Sequence, residues 1–200
     1  MKKNMGRIIF QTLLGLLLLC VALPGACPAK GGAVQLPGGM SITLPDNWQV
    51  QPEEKGTPVL VAVGHDEKGE AFGMVMINQM VLPSGEEPLT QDKLPDLNAE
   101  EKAAFLAEME NNFRNEFSVK DSPFKLKEIF DASIKNINGF HAASITASLD
   151  AGGNGVILEA DIIMFPDRAI QLQAWCSEVQ YSARGQEMRN IISSFVAGGK

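Results

Sequence analysis

The chain has 200 residues, of which 45% are hydrophobic and 20% charged, and its formal net charge is −7. This length suits a single domain with one hydrophobic core. An acidic surface repels nucleic-acid phosphates and offers no polybasic patch to anionic lipid, so the composition disfavours nucleic-acid binding and electrostatic attachment to a membrane.

The first 29 residues have the layout of an export signal. Three basic residues precede position 8, and Ile8 to Leu23 is almost wholly apolar, interrupted only by Gln11 and Thr12. Small residues follow at positions 25 to 29, which is typical of a cleaved signal peptide. The apolar block is too short for a bilayer span of about 20 residues. We therefore predict that residues 1–29 are a signal peptide and that the protein is periplasmic or extracellular.

Two cleavage sites fit this leader. Signal peptidase I would cut after Cys27-Pro28-Ala29 and release a soluble protein that begins at Lys30. Alternatively, residues 23–27 resemble a lipobox, in which case Cys27 becomes a lipidated first residue and a membrane tether. Lipoboxes usually carry leucine three residues before the cysteine, where this chain has Pro24.

Cleavage of the leader also decides the cysteine chemistry. Of the three cysteines, Cys20 lies inside the signal, and Cys27 is either removed or lipidated. Cys176 is then the single thiol, so an intramolecular disulfide is excluded. Because Cys176 shares the alternation of Ile170, Leu172 and Ala174, we interpret it as a core residue rather than a reactive thiol.

The N-terminal half of the mature chain predicts strands followed by a helix. Lys30 to Gly39 is glycine-rich and is expected to be loose. Alternation and short apolar runs predict strands at 40–44, 59–63 and 72–81, with a turn at 45–48 that carries Trp48 and a polar hairpin loop at 64–69. Asn98 and Glu101 then form a capping box for a helix. Its apolar stripe is Phe105, Leu106, Met109, Phe113 and Phe117.

The C-terminal half predicts a four-strand meander and a closing helix. The strands are expected at 125–137, 140–149, 156–165 and 169–179, because Asn138-Gly139, residues 150–155 and residues 166–168 have turn chemistry. The last helix is expected to begin near Ser182. We therefore predict an α+β fold in which helices flank a twisted antiparallel sheet, as one domain over residues 40–197.

Two segments of this chain are similar to the PsbP-like superfamily. Ile42 to Trp48 resembles the strand and proline–tryptophan turn that open many of its members. Ile191 to Phe195 resembles the ending of DcrB-like bacterial envelope proteins in the same superfamily. The resemblance covers most of residues 39–196 and implies an αβα sandwich, but it carries no catalytic or binding residue onto this sequence.

Few residues are candidates for chemistry. Met74, Met76 and Met80 would share one strand face, and thioethers suit Cu(I), although methionine more often fills a core. Glu159 and Asp161 also share one strand face and could form a carboxylate pair with perturbed protonation, although such residues more often line a wet sheet edge or meet a lysine. Residues 65–70 are a candidate cation-binding loop, but their acidic residues lack the spacing of a calcium-binding loop. His65 and His141 lie on different hairpins, and no nucleophile motif accompanies them.

The sequence therefore predicts an exported, non-enzymatic envelope protein without a cofactor, which binds an unknown envelope protein or component. The alternative is a periplasmic protein that binds a small ligand or copper, with Met74, Met76 and Met80 as candidate ligands.

Overall fold

The computed structural model describes residues 31–51, 59–82, 88–119 and 122–198. The first part of this chain forms strands β1 (Gly32–Gln35), β2 (Ser41–Leu44), β3 (Trp48–Val50), β4 (Leu60–His65) and β5 (Ala71–Val81) and helix α1 (Ala99–Phe117). The second part forms strands β6 (Lys125–Ile137), β7 (Phe140–Ala151), β8 (Asn154–Met164) and β9 (Arg168–Ser177) and helix α2 (Glu178–Ser193).

Seven strands form one antiparallel sheet in the order β3-β4-β5-β9-β8-β7-β6, and β1 pairs with β2 beside it. Short turns explain the meander of β6 to β9, with two residues at 138–139 and at 152–153 and three at 165–167. Asn138 and Gly139 have φ values of 48° and 92°, as a type I′ hairpin turn requires, and asparagine and glycine tolerate this left-handed region best.

Helix α1 begins at the predicted capping box. The Asn98 side chain accepts a hydrogen bond from the Glu101 backbone N–H, and the Glu101 carboxylate accepts one from the Asn98 N–H. Met109, Phe113 and Phe117 are buried in a cluster with Leu149, Leu158 and other side chains of β7 and β8. Burial of a side chain such as Phe113 contributes about 1.5–3 kcal/mol.

Helix α2 covers the opposite face of the sheet. Its buried residues Met188, Ile191 and Ile192, together with Phe195, pack in a cluster that includes Trp48. The Trp48 Nε1–H donates a hydrogen bond to Glu187 of α2 over 2.7 Å, so the tryptophan fixes β3 to the helix. The two faces of the sheet are called the α1 face and the α2 face. Helices on both faces confirm the predicted αβα sandwich of the α+β class.

Three local predictions need correction. The segment 30–39, expected to be loose, contains β1, because β1 pairs with β2 and Leu36 packs in the core. A three-residue strand, β3, continues directly from the predicted turn at Trp48. Helix α2 begins at Glu178 rather than near Ser182. The β-branched Val179 favours a strand prediction, but its side chain is 89% exposed on the first turn of the helix.

Candidate functional site

A row of polar side chains crosses the α2 face of the sheet on β7 and β8. Ser144 lies directly opposite Asp161, and Thr146 lies opposite Glu159. These four residues and Ser148 are all buried, with exposed fractions of 0 to 9%. Their neighbours in the alternation, such as Ile145 and Ala160, face the α1 core. The sheet therefore places five polar side chains side by side where an apolar core is usual.

Helix α2 and strand β6 border this polar row. The helix lies over β5, β9 and β8, so on the same face β7 and β6 lie to one side of it. At one end, the Lys127 ammonium of β6 contacts Glu178 of α2 over 3.2 Å. At the other end, the Asn138 side chain donates a hydrogen bond to the Phe195 carbonyl over 3.1 Å. The buried polar row between these two links is called the polar trough, and its floor is Ser144, Thr146, Ser148, Glu159 and Asp161.

Asp161 and Ser144 form the least satisfied part of the floor. The Asp161 Oδ1 atom and the Ser144 hydroxyl lie on directly opposite residues and are buried without a hydrogen bond of full geometry, although the Ser144 hydroxyl is near enough to act on the Asp161 carboxyl group. Burial raises the pKa of Asp161 above its usual range, which the Ser144 hydroxyl and the charge of Lys135 only partly oppose. Unsatisfied buried polar atoms cost about 1–3 kcal/mol each. Such a pair is costly for folding alone.

Glu159, two residues away, is held by two donors. Its Oε1 atom accepts hydrogen bonds from the Tyr181 hydroxyl and, over 2.8 Å, from the Arg189 guanidinium. Arg189 also donates to the Tyr181 oxygen over 3.0 Å. Burial, together with the nearby Glu159 carboxylate, raises the pKa of Tyr181 to about 12. This cluster therefore ties α2 to β8 and neutralises the charge of Glu159, which suits a positioning role better than proton transfer.

The β6 border of the trough is charged and partly exposed. The Ser133 hydroxyl donates to Asp131 over 2.7 Å, and the Lys135 ammonium lies 3.9 Å from the same carboxylate. Phe130 is 52% exposed at a bulge beside Asp131.

The sequence predicted part of this site. It singled out Glu159 and Asp161 as a pair on one strand face, and the structure places both on the trough floor. It missed Ser144, Thr146 and Ser148, whose period-two spacing is the signal of a polar strand face. Tyr181 and Arg189 have no local signal, because their partner Glu159 is about twenty to thirty positions away in sequence.

The candidate copper ligands Met74, Met76 and Met80 lie on the α1 face. Met76, 5% exposed, belongs to the apolar cluster that also contains Trp175, and the partly buried Met74 and Met80 pack against that cluster. Their common face is as predicted, and the surroundings are those of core methionines. Copper binding itself stays a prediction.

Cys176 is a core residue, as its alternation predicted. The thiol is free and buried, and burial raises its pKa to about 11. The nucleophilic thiolate is therefore scarce at neutral pH.

The histidine and loop candidates are dispersed. His65 is the last residue of β4 and His141 the second residue of β7, with β5, β9 and β8 between these strands. In the loop, the Asp66 carboxylate accepts hydrogen bonds from the backbone N–H groups of Lys68 and Glu70, each over 2.9 Å. The bond from Glu70 is the main cause that lowers the pKa of Asp66. The loop is thus a hydrogen-bonded turn, and in the described ranges no cluster of three or more His, Cys, Asp or Glu residues is arranged to hold a metal ion.

Residues 1–29 and the candidate lipidation site Cys27 lie outside the described residues. Among the helices of the described ranges, none is both long and apolar enough to cross a membrane.

Comparisons with known proteins identify the fold. No family model matches the chain, and no curated protein matches it. Among solved structures, CyanoP, the cyanobacterial PsbP of Synechocystis sp. PCC 6803, is similar with a TM-score of 0.55 and 14% identity, over 88% of this chain and 97% of CyanoP. The chain has the PsbP-like fold.

Two further structures are similar. A protein from Bacteroides thetaiotaomicron has a TM-score of 0.52 and 13% identity, and the match covers 86% of this chain but only 50% of that protein. A mutant of the protein Mog1 has a TM-score of 0.50 and 10% identity, over 86% of this chain and 98% of Mog1. At these identities the likeness concerns the fold, and function has to be argued from the site.

Proposed function

We propose that this protein is an exported, non-enzymatic module that binds an envelope protein or another envelope component through the polar trough. The observation that carries this proposal is the pair of buried, unpartnered polar atoms on Asp161 and Ser144. A bound partner that supplies hydrogen bonds to both atoms would remove an energetic cost that the free domain bears.

Two further features support this proposal. The leader sequence supports export, since its charge and apolar pattern are those of a signal peptide. The engagement of Glu159 by Tyr181 and Arg189 supports binding rather than catalysis, because a carboxylate already held by two donors is a poor general base.

Photo-crosslinking in the native host tests the proposal. A photoreactive amino acid at position 133, on the β6 border of the trough, is compared with the same amino acid at Gln79. Gln79 is exposed on the α2 face of β5, with β9, β8 and β7 between it and β6.

We expect a defined adduct with an envelope component from position 133 that is absent from position 79. Equal adducts from both positions, or none from position 133, would contradict the proposal. Co-fractionation of the protein with the cytoplasm would contradict its export.

Copper binding is the second candidate function, favoured by the common face of Met74, Met76 and Met80. Titration of the purified mature protein with Cu(I), monitored by a competing chelator, tests it. Binding tighter than micromolar that disappears in Met74→Leu/Met76→Leu/Met80→Leu would support a copper site, and weaker binding would exclude it.

A further inference from the structure

We propose that the Asn154-Gly155 pair is a site of spontaneous covalent modification, at which the asparagine loses ammonia and becomes aspartate or isoaspartate. The sequence contains two Asn-Gly pairs, at 138–139 and at 154–155, and each belongs to a hairpin of the sheet. The structure protects the first pair and leaves the second open to the reaction. This inference is independent of the proposed function.

The reaction needs a side-chain amide and the backbone nitrogen of the next residue. The Gly155 nitrogen attacks the side-chain carbonyl carbon Cγ of Asn154, and the new C–N bond closes a succinimide ring. The bond from Cγ to Nδ2 breaks, and Nδ2 leaves as ammonia with the proton that the Gly155 nitrogen gives up. Water then opens the ring at either carbonyl, which yields aspartate or isoaspartate. Glycine favours this attack because it has no side chain in the way and because its backbone rotates freely.

Hydrogen bonds hold both reacting groups of the first pair. The Asn138 Nδ2 atom donates to the Phe195 carbonyl over 3.1 Å. The Gly139 N–H donates to the Asn136 Oδ1 atom over 2.9 Å. The positive φ values of both residues also fix them at the centre of the type I′ turn. Ring closure at Asn138 therefore has to break two hydrogen bonds and the turn geometry.

The second pair lies at the tip of the β7–β8 hairpin, directly after the turn at 152–153. Asn154 is exposed, and among the described residues its side chain has no hydrogen-bond partner. Asn154 lies opposite Ala151 in the pair that closes the two-residue turn, so the N–H of the adjacent Gly155 points away from β7. The pairing of β8 with β9 begins only at Val156. The reacting nitrogen therefore lies at the end of the sheet, where the hairpin tip opens locally at low free-energy cost.

The product carboxylate lies beside two others. Asp150 is opposite Gly155 in the ladder, and a Cβ atom built at Gly155 would overlap with the Glu178 carboxylate. Glu178 is also the partner of Lys127 at one end of the polar trough. Isoaspartate in addition lengthens the backbone by one methylene group, which shifts the start of β8 against its neighbours. We expect the modified protein to be less stable than the unmodified protein, because adjacent like charges on a sheet repel.

Peptide mapping by mass spectrometry tests this inference on the purified mature protein after incubation at mildly alkaline pH. We expect conversion at Asn154 to be at least about tenfold faster than at Asn138, because two hydrogen bonds protect the latter. In urea, which unfolds both hairpins, the two sites should react at similar rates. The urea measurement gives the intrinsic rate of each pair, so that the protection in the folded protein is read as a ratio of rates.

Two variants identify the cause of the difference in rate. Asn154→Gln makes the ring one atom larger and should abolish the modification at this position. Asn136→Ala removes the acceptor of the Gly139 N–H, so it should speed conversion at Asn138 several-fold and leave the rate at Asn154 unchanged. Urea unfolding curves establish that both variants are folded under the conditions of the incubation.

Three results would overturn the inference. The first is conversion at Asn154 that is no faster than conversion at Asn138 in the folded protein. The second is an unchanged rate at Asn138 in Asn136→Ala, since it would mean that the hydrogen bond does not protect this pair. The third is the formation of aspartate alone, since a succinimide opens to both products.

Discussion

Asp161 places an ionisable carboxyl group in the buried part of the sheet. Its carboxyl group lies in the middle of a seven-stranded sheet, with one oxygen unpartnered beside an unpartnered serine hydroxyl. Burial raises its pKa, so the folded protein holds the proton more firmly than the unfolded chain does. The ionised form of Asp161 consequently destabilises the fold.

The Asp161→Asn variant should be more stable than the unmodified protein at pH 7, by about 1 kcal/mol. Because the folded-state pKa is raised, the unmodified protein loses stability as the pH rises from the unfolded-state pKa, about 3.9, towards the folded-state value. The asparagine variant avoids this loss. Urea unfolding at several pH values measures the difference, which should shrink towards about pH 4.

An exposed carboxylate provides the control for this measurement. Asp96→Asn removes one negative charge at an exposed position and should leave stability within about 0.5 kcal/mol. An Asp161→Asn variant that is less stable at pH 7 would mean that the ionised carboxylate has a stabilising partner.

Arg189→Met should destabilise the fold by about 2 kcal/mol. The substitution leaves Glu159, whose side chain is 6% exposed, without its cation. Removing one partner of a fully buried ion pair costs about 3–5 kcal/mol of folding free energy. The smaller loss expected for Arg189→Met reflects the 41% exposure of the Arg189 side chain. Thermal unfolding measures the change. Arg114→Met is the control, because it removes an exposed ion pair within α1 and should have little effect on stability. Equal losses of stability in the two variants would contradict the stabilising role of the Glu159 cluster.

At the scale of elements, local chemistry made the strand and helix boundaries predictable. The bounds of β6 agree with the sequence prediction because a proline precedes it and Asn138-Gly139 ends it. The start of α2 was missed, since exposed Val179 imitates a strand residue. β1 and β3 were missed because four and three residues are too few to show a period. Only the β8 residues of the trough were predicted, because the approach of α2 to β6 depends on packing between segments that are distant in sequence.

Asn98→Ala should destabilise the protein by about 1 kcal/mol. The substitution removes the side-chain acceptor of the Glu101 N–H at the start of α1. The same change at Asn111, exposed in the middle of α1, is the matched control and should be neutral or slightly stabilising, because alanine favours a helix interior. Chemical denaturation measures both. Equal effects at the two positions would show that the capping box does not matter.

At the scale of the whole molecule, the described sheet carries an apolar core on each face, the polar trough beside α2, and a smaller set of buried polar side chains on the α1 face, namely Asn78, Gln171 and Gln173. The structure also limits the length of the membrane tether that a lipidated Cys27 would have. β1 begins at Gly32, so only residues 28–31 would separate a lipidated Cys27 from the folded domain. At most about 3.5 Å per residue, such a tether would hold the domain within roughly 14 Å of the membrane surface.

Intact mass spectrometry of the protein made in its own host decides this point. We expect a chain that begins at Lys30, without lipid. A diacyl or triacyl group on Cys27 would establish the tethered form instead. Retention of residues 1–29 would contradict both cleavage predictions.

The most direct test of the binding surface is hydrogen exchange of the purified mature protein with and without an envelope extract from its host. We predict added protection within residues 125–151, 154–164 and 178–193, the strands and helix that form the trough. Protection confined to α1, β3 and β4, with the trough peptides unchanged, would contradict the assignment of binding to the polar trough.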